Sequence, residues 1–110
     1  MTSKSIAYNK LIRDKIPELL EKDGKKAIIE TLSDEDYLLL LNQKLQEEVD
    51  EYLESGTVDE LADIGEVMHA ILEFKGITVE RFQRVRLEKL EARGGFRKKL
   101  LLKEVRIEHK

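Results

Sequence analysis

Five carboxylates stand out by their spacing. Glu47-Glu48-x-x-Glu51 is followed nine residues later by Glu60-x-x-Asp63. On a helix, residues three apart share a face, so each pair presents two acids side by side. The intervening Glu54-Ser55-Gly56-Thr57 stretch reads as a tight turn. Such a turn folds two helices antiparallel, which lets the two acidic pairs meet. Hard oxygen ligands in a chain with no cysteine suit Mg²⁺ or Mn²⁺ rather than a softer metal. Carboxylates about 4 Å apart repel by about 4 kcal/mol per pair at an effective dielectric of 20, so such a cluster needs cations. Lys44 is the single basic residue between positions 33 and 66, against twelve acids. A plainer reading stands beside this one. Glu60 could be the capping-box partner of Thr57, and the other acids could be an ordinary solvated helix surface.

The elements that must carry these residues can be read from caps and periodicity. Ser33 followed by Asp34-Glu35-Asp36 is an N-cap signal, and Gly56 a natural stop, which places a helix over about 34–54. At 100° per residue, its Leu38, Leu41, Leu45, Val49 and Tyr52 form one apolar stripe. Glu48 falls on the edge of that stripe, with Glu47 and Glu51 on the adjoining shoulder. Thr57 opens the next helix, which runs to near Gly76. Leu61, Ile64, Val67, Met68, Ile71, Leu72 and Phe74 give it a wide apolar face, with Glu60 and Asp63 within or beside that face. Glu66 and Glu73 point the other way. Acids turned toward an apolar face lose solvation unless something pairs with them, which is why this contrast matters.

Two further helices flank the pair. Asp14 and Pro17 suggest a cap and first turn for a short helix that ends at Gly24, and Thr78 caps another that lasts to about Arg93. Residues 25–32 and 96–107 are partly β-branched or alternating. The expected architecture is therefore all-α, four helices in one domain of residues 1–110, with at most a small two-stranded sheet from 27–32 and 97–107. Gly65, in mid-helix, costs about 1 kcal/mol relative to alanine and suggests a close approach of helices.

With those elements in place, three motifs in order resemble a known family. Glu47-Glu48-x-x-Glu51 with Glu60-x-x-Asp63 is similar to the signature of the MazG-like, all-α nucleoside triphosphate pyrophosphohydrolases. Tyr8-Asn9-Lys10-Leu11-Ile12-Arg13-Asp14-Lys15-Ile16-Pro17-Glu18 resembles the N-terminal motif of a phosphoribosyl-ATP pyrophosphohydrolase-like branch of that superfamily, and Arg93-Gly94-Gly95-Phe96 its C-terminal motif. The likeness spans residues 8 to 102. It implies Mg²⁺-dependent hydrolysis of a nucleotide between its α- and β-phosphates, giving a monophosphate and pyrophosphate. It also implies Glu48, Glu51, Glu60 and Asp63 as metal ligands, with Mn²⁺ as the other metal of suitable chemistry. Glu47 is the candidate to orient or deprotonate the attacking water. Lys10, Arg13, Lys89 and Arg93 are the candidate phosphate clamps, because ammonium and guanidinium groups recognise phosphate oxygens. Lys15 and Arg97 are the next candidates.

Charge and composition narrow the alternatives. The net charge of −3 hides an acidic centre (residues 33–66, net −11) between basic flanks of +2 and +6. A nucleic-acid-binding module would use Arg97-Lys98-Lys99 and the basic fourth helix. Against it stand the negative total, six aromatic residues and the lack of a recognisable binding motif. A purely structural helical protein would explain the caps and stripes but not the inward acids. Glu66-x-x-His69 has di-iron ligand spacing, but a ferritin-like site needs two such motifs, so His69 is read as a bystander. The longest apolar run, Leu38 to Leu41, is far short of the roughly 20 residues of a membrane span. No apolar stretch follows Met1 to Ser5, so the expectation is a cytoplasmic protein with no membrane and no nucleic-acid partner. The width of the third helix's apolar face suggests contact with another subunit, which agrees with the dimers and tetramers of the resembled family.

Overall fold

The computed structural model describes residues 4–109. It holds four helices: α1 (Ile16–Lys22), α2 (Asp34–Ser55), α3 (Val58–Phe74) and α4 (Val79–Arg93). The chain divides into two compact units, Met1–Ile77 and Thr78–Lys110.

Within the first unit, α2 and α3 form the frame. Ser33 caps α2, its Oγ accepting the N–H of Asp36 at 3.2 Å, and three acids fill the first turn where the helix dipole favours them. α2 ends at Gly56, whose φ of 67° is the left-handed conformation glycine adopts without a Cβ clash. Thr57 then caps α3 at once, so Gly56 and Thr57 alone join the two helices. That connection turns the chain back on itself. The pairing of Tyr37, near the start of α2, with Phe74, at the end of α3, confirms the antiparallel course: their rings meet edge to face at 5.5 Å and 78°.

The core between the helices is narrow. Leu41 is 3% exposed and Val67 8%, and no other apolar residue among those described is fully buried. Around them, Leu38, Leu45, Val49, Tyr52, Ile64, Ile71 and Leu72 are half-buried, so both expected stripes face inward. Leu61 and Met68, at the margin of the α3 face, stay exposed.

α1 differs from expectation at its start. The helix begins at Ile16 with Pro17 in its first turn, Lys15 occupies the cap position, and no side chain caps it. The Ile16 N–H instead donates to the Arg13 carbonyl at 3.1 Å, closing a backbone turn that leaves Asp14 outside the cap. The expected small sheet is also corrected. Neither 27–32 nor 97–107 forms a strand, and no strand occurs among the described residues. Ile28 and Ile29 are exposed, as are Leu100 to Leu102, Val105 and Ile107. A two-stranded ribbon with no apolar face to bury is marginal at best in water. Gly65 is a third difference: a Cβ built there would meet nothing within 4 Å, so among the described residues of the first unit no helix approaches closely at that point.

In the second unit, Thr78 caps α4 by accepting the Arg81 N–H at 3.1 Å, and Gly94 ends it with φ 81°. α4 has no buried residue. Among the described residues, no helix is long and apolar enough to cross a membrane.

Candidate metal centre

The helix period explains how acids come to sit beside the core. Glu48 lies seven residues beyond Leu41, two turns along almost the same line of α2, and Leu41 is the most buried apolar residue of that helix. Glu60 and Asp63 precede Val67 by seven and four residues, on the buried line of α3. Because the helices are antiparallel and joined by two residues, these lines meet near the hairpin end. Ligand oxygens of Glu48, Glu60 and Asp63 all lie within 4.8 Å of one another.

Their environments are unequal. Glu48 is only 5% exposed, whereas Glu60 and Asp63 are half-buried. Lys44, four residues earlier on the same helix, reaches Glu48 Oε1 at 3.3 Å. Glu48 Oε2 and Glu60 Oε2 are buried with no hydrogen-bond partner among the described residues. A buried carboxylate oxygen without a donor is expensive to keep charged, so each calls for a proton or a cation. Burial is the main force raising the Glu48 pKa above its ordinary 4.5; the nearby Glu51 adds to the rise, while the hydrogen bond and charge of Lys44 oppose it.

The capping-box reading of Glu60 can be checked directly. Thr57 Oγ1 accepts the Glu60 N–H at 3.4 Å, which is half of the box. The return bond is not made. The Thr57 N–H donates to Ser55 Oγ, and the Glu60 carboxylate turns toward Glu48 and Asp63.

The remaining candidates divide by location. Glu51 is exposed and is not one of the three gathered carboxylates, though it is near enough to Glu48 to disfavour its ionisation. Glu47 is half-buried between two ammonium groups, Lys10 at 3.8 Å and Lys44 at 3.7 Å. Arg13 Nη2 donates to Asp63 Oδ1 at 2.7 Å, a short charge-assisted bond between residues fifty apart in the chain. Residues 8–13 therefore bring two of the four expected clamps, Lys10 and Arg13, onto the acids of α2 and α3. Lys89 and Arg93 lie on α4 in the second unit, with exposed side chains, and Arg97 follows them, also exposed. Lys15 is exposed at the start of α1. His69 is exposed, its Nε2 3.9 Å from Glu73, and Glu66 is exposed too.

One contributor was not assigned a role in the sequence. Lys44 stands out there only as the single base of the acidic stretch; its i,i+3 and i,i+4 spacing to Glu47 and Glu48 was the available signal.

No protein-family model matches the chain, and no solved structure matches it. An uncharacterized protein of Mycolicibacterium smegmatis is 42% identical over 59 residues, which make up 54% of this chain and 60% of that protein. The match thus spans about three-fifths of the relative's length.

Proposed function

We propose that this protein is a divalent-cation-dependent nucleotide pyrophosphohydrolase of the MazG-like type, cutting a nucleoside triphosphate or related nucleotide between its α- and β-phosphates. The observation that carries the reading is the meeting of Glu48, Glu60 and Asp63 within 4.8 Å, with two of their oxygens buried and unpartnered. The donor set fits a hard dication: all oxygen, no cysteine in the chain, and His69 on α3 turned toward Glu73. Glu48, Glu60 and Asp63 would hold Mg²⁺ or Mn²⁺, with the adjacent Glu51 as a fourth ligand. When bound, the cation neutralises phosphate charge and makes a phosphorus atom easier to attack.

The chain's own residues supply the rest. Glu47, half-buried and paired with Lys10 and Lys44, is the base of this reading, accepting a proton from water as the water oxygen joins phosphorus. The bridging P–O bond breaks, and the group on its far side, pyrophosphate or the nucleoside monophosphate according to which phosphorus is attacked, leaves with the electron pair. Lys10 and Arg13 offer positive charge on the same side for the phosphate oxygens, and Arg13 adds a planar fork suited to two of them.

Pyrophosphate release from a panel of nucleoside triphosphates tests this reading. Turnover with Mg²⁺ and none in excess EDTA is the expected result. The competing reading, a nucleic-acid-binding module, draws on the exposed run Arg97-Lys98-Lys99. A DNA and RNA mobility shift run in parallel, positive while the whole nucleotide panel stays unhydrolysed, would replace our reading with that one.

The assembly we propose is a homodimer or homotetramer. Two fully buried apolar residues among those described are a small core, and Val58, Leu61 and Met68 leave apolar surface on α3 exposed. Sedimentation equilibrium should return a mass of two or four chains; a monomer across micromolar concentrations would remove this part of the proposal.

A further inference from the structure

Among the described residues three basic side chains reach the clustered acids of α2 and α3, and they are not held alike. Lys44 is 20% exposed and rides on α2 itself, one turn from the carboxylates it pairs with, so the helix fixes it there. Lys10 sits 3.8 Å from Glu47, outside the gathered three. Arg13 is different in both respects. Its guanidinium bonds Asp63, one of the three, and it belongs to residues 8–13, which form no helix or strand. That stretch turns at Asn9, whose φ of 48° is the left-handed conformation asparagine tolerates better than most residues. The Arg13 side chain remains 58% exposed, so water can take over its donors when it lets go.

Asp63 therefore has two uses that conflict. A dication held by Glu48, Glu60 and Asp63 would compete with the Arg13 guanidinium for the Asp63 carboxylate, and the two cations repel each other at that short range. We infer that Arg13 is the internal counter-ion of Asp63, that a divalent cation displaces it, and that the freed guanidinium is thereby made available to the phosphates of the substrate. The inference rests on the reading of the acids as a metal site and adds an order of events to it. Before metal arrives, Arg13 limits the repulsion within the acidic cluster. Once metal has taken the Asp63 oxygen, the same arginine has lost its partner and is a cation beside the site. Metal binding and phosphate recognition are then coupled through one side chain.

The coupling makes an unusual demand on mutants. Removing a residue that merely shapes the site would weaken metal binding, whereas removing a competitor strengthens it. Titration calorimetry of Mn²⁺ into the metal-free protein reads this without any substrate. Arg13→Gln and Arg13→Ala should bind Mn²⁺ about three- to ten-fold more tightly than the parent, the scale of a half-exposed ion pair plus one repelling charge. Arg13→Lys, which keeps the charge but not the fork, should fall between them and the parent, and it preserves the test if a neutral variant does not fold. Equal or weaker Mn²⁺ binding in the neutral variants, with normal binding by the parent, overturns the competition and leaves the proposed activity standing. A parent chain that binds no Mn²⁺ overturns both.

Discussion

Glu48→Gln is expected to lower Mg²⁺-dependent pyrophosphate release by at least about 100-fold, or about 2.7 kcal/mol of transition-state stabilisation. The magnitude follows from position. Glu48 is the most buried of the clustered acids, and its Oε2 has no donor among the described residues. Glutamine keeps the size and leaves an oxygen that can still accept from Lys44, so the hairpin should fold with unchanged helicity. What it lacks is the charge that a dication requires. Asp63→Asn should behave in the same way, since Asp63 contributes to the same 4.8 Å group. Glu66→Gln is the control, because that acid lies on the exposed face of α3 and should hydrolyse substrate normally. Ca²⁺, larger and less demanding of octahedral geometry, should support little turnover in the parent. Full activity in Glu48→Gln, or activity that survives excess EDTA, would remove these carboxylates from the reaction.

Much of this arrangement is legible in the sequence because it is local. Ser33, Thr57 and Thr78 each cap a helix by accepting an N–H three residues on, and Gly56 stops α2 where its left-handed φ is needed. The seven-residue offset from Leu41 to Glu48 puts an acid on a buried line, and no tertiary information is needed to see it. Helix 3 is read equally well: the outward Glu66 and Glu73 and the inward Glu60 and Asp63 separate as the wheel predicts. The failures share a cause. The bond from Arg13 to Asp63 spans fifty residues and is made by a segment with no periodicity, so nothing in its spacing announces it. Strand-like composition at 27–32 and 97–107 misled because β-branched residues express a preference that only a partner and a buried face can realise. The cap of α1 was misplaced because a backbone turn at Arg13 did the work expected of the Asp14 side chain.

The second large effect expected is on stability. In metal-free buffer the hairpin carries Glu48 with a pKa raised above 4.5, chiefly by burial, so the folded state holds that proton more tightly than the unfolded one. The stability Glu48 contributes is therefore fully present below pH 4.5 and is lost as the pH rises through its raised pKa. Above that range Glu48 is charged in its buried site and opposes folding, and a dication reverses this. Ligand that binds only the folded state stabilises by about 2.7 kcal/mol when its free concentration is 100 times the dissociation constant. For a domain of this size that corresponds to a rise in Tm on the order of 10 °C with millimolar Mg²⁺ or Mn²⁺ at pH 7. The rise should shrink toward pH 4.5, as protons and metal compete for the same oxygens. The variant with Glu48→Gln, Glu51→Gln, Glu60→Gln and Asp63→Asn should melt at the same temperature with and without metal. Its metal-free Tm should also depend less on pH between 4.5 and 7 than that of the parent. Matched KCl controls separate specific binding from screening, since surface charges respond to ionic strength alone. If the quadruple variant keeps the full metal-induced rise, the cation is bound elsewhere on the chain, and the buried oxygens of Glu48 and Glu60 are not its ligands.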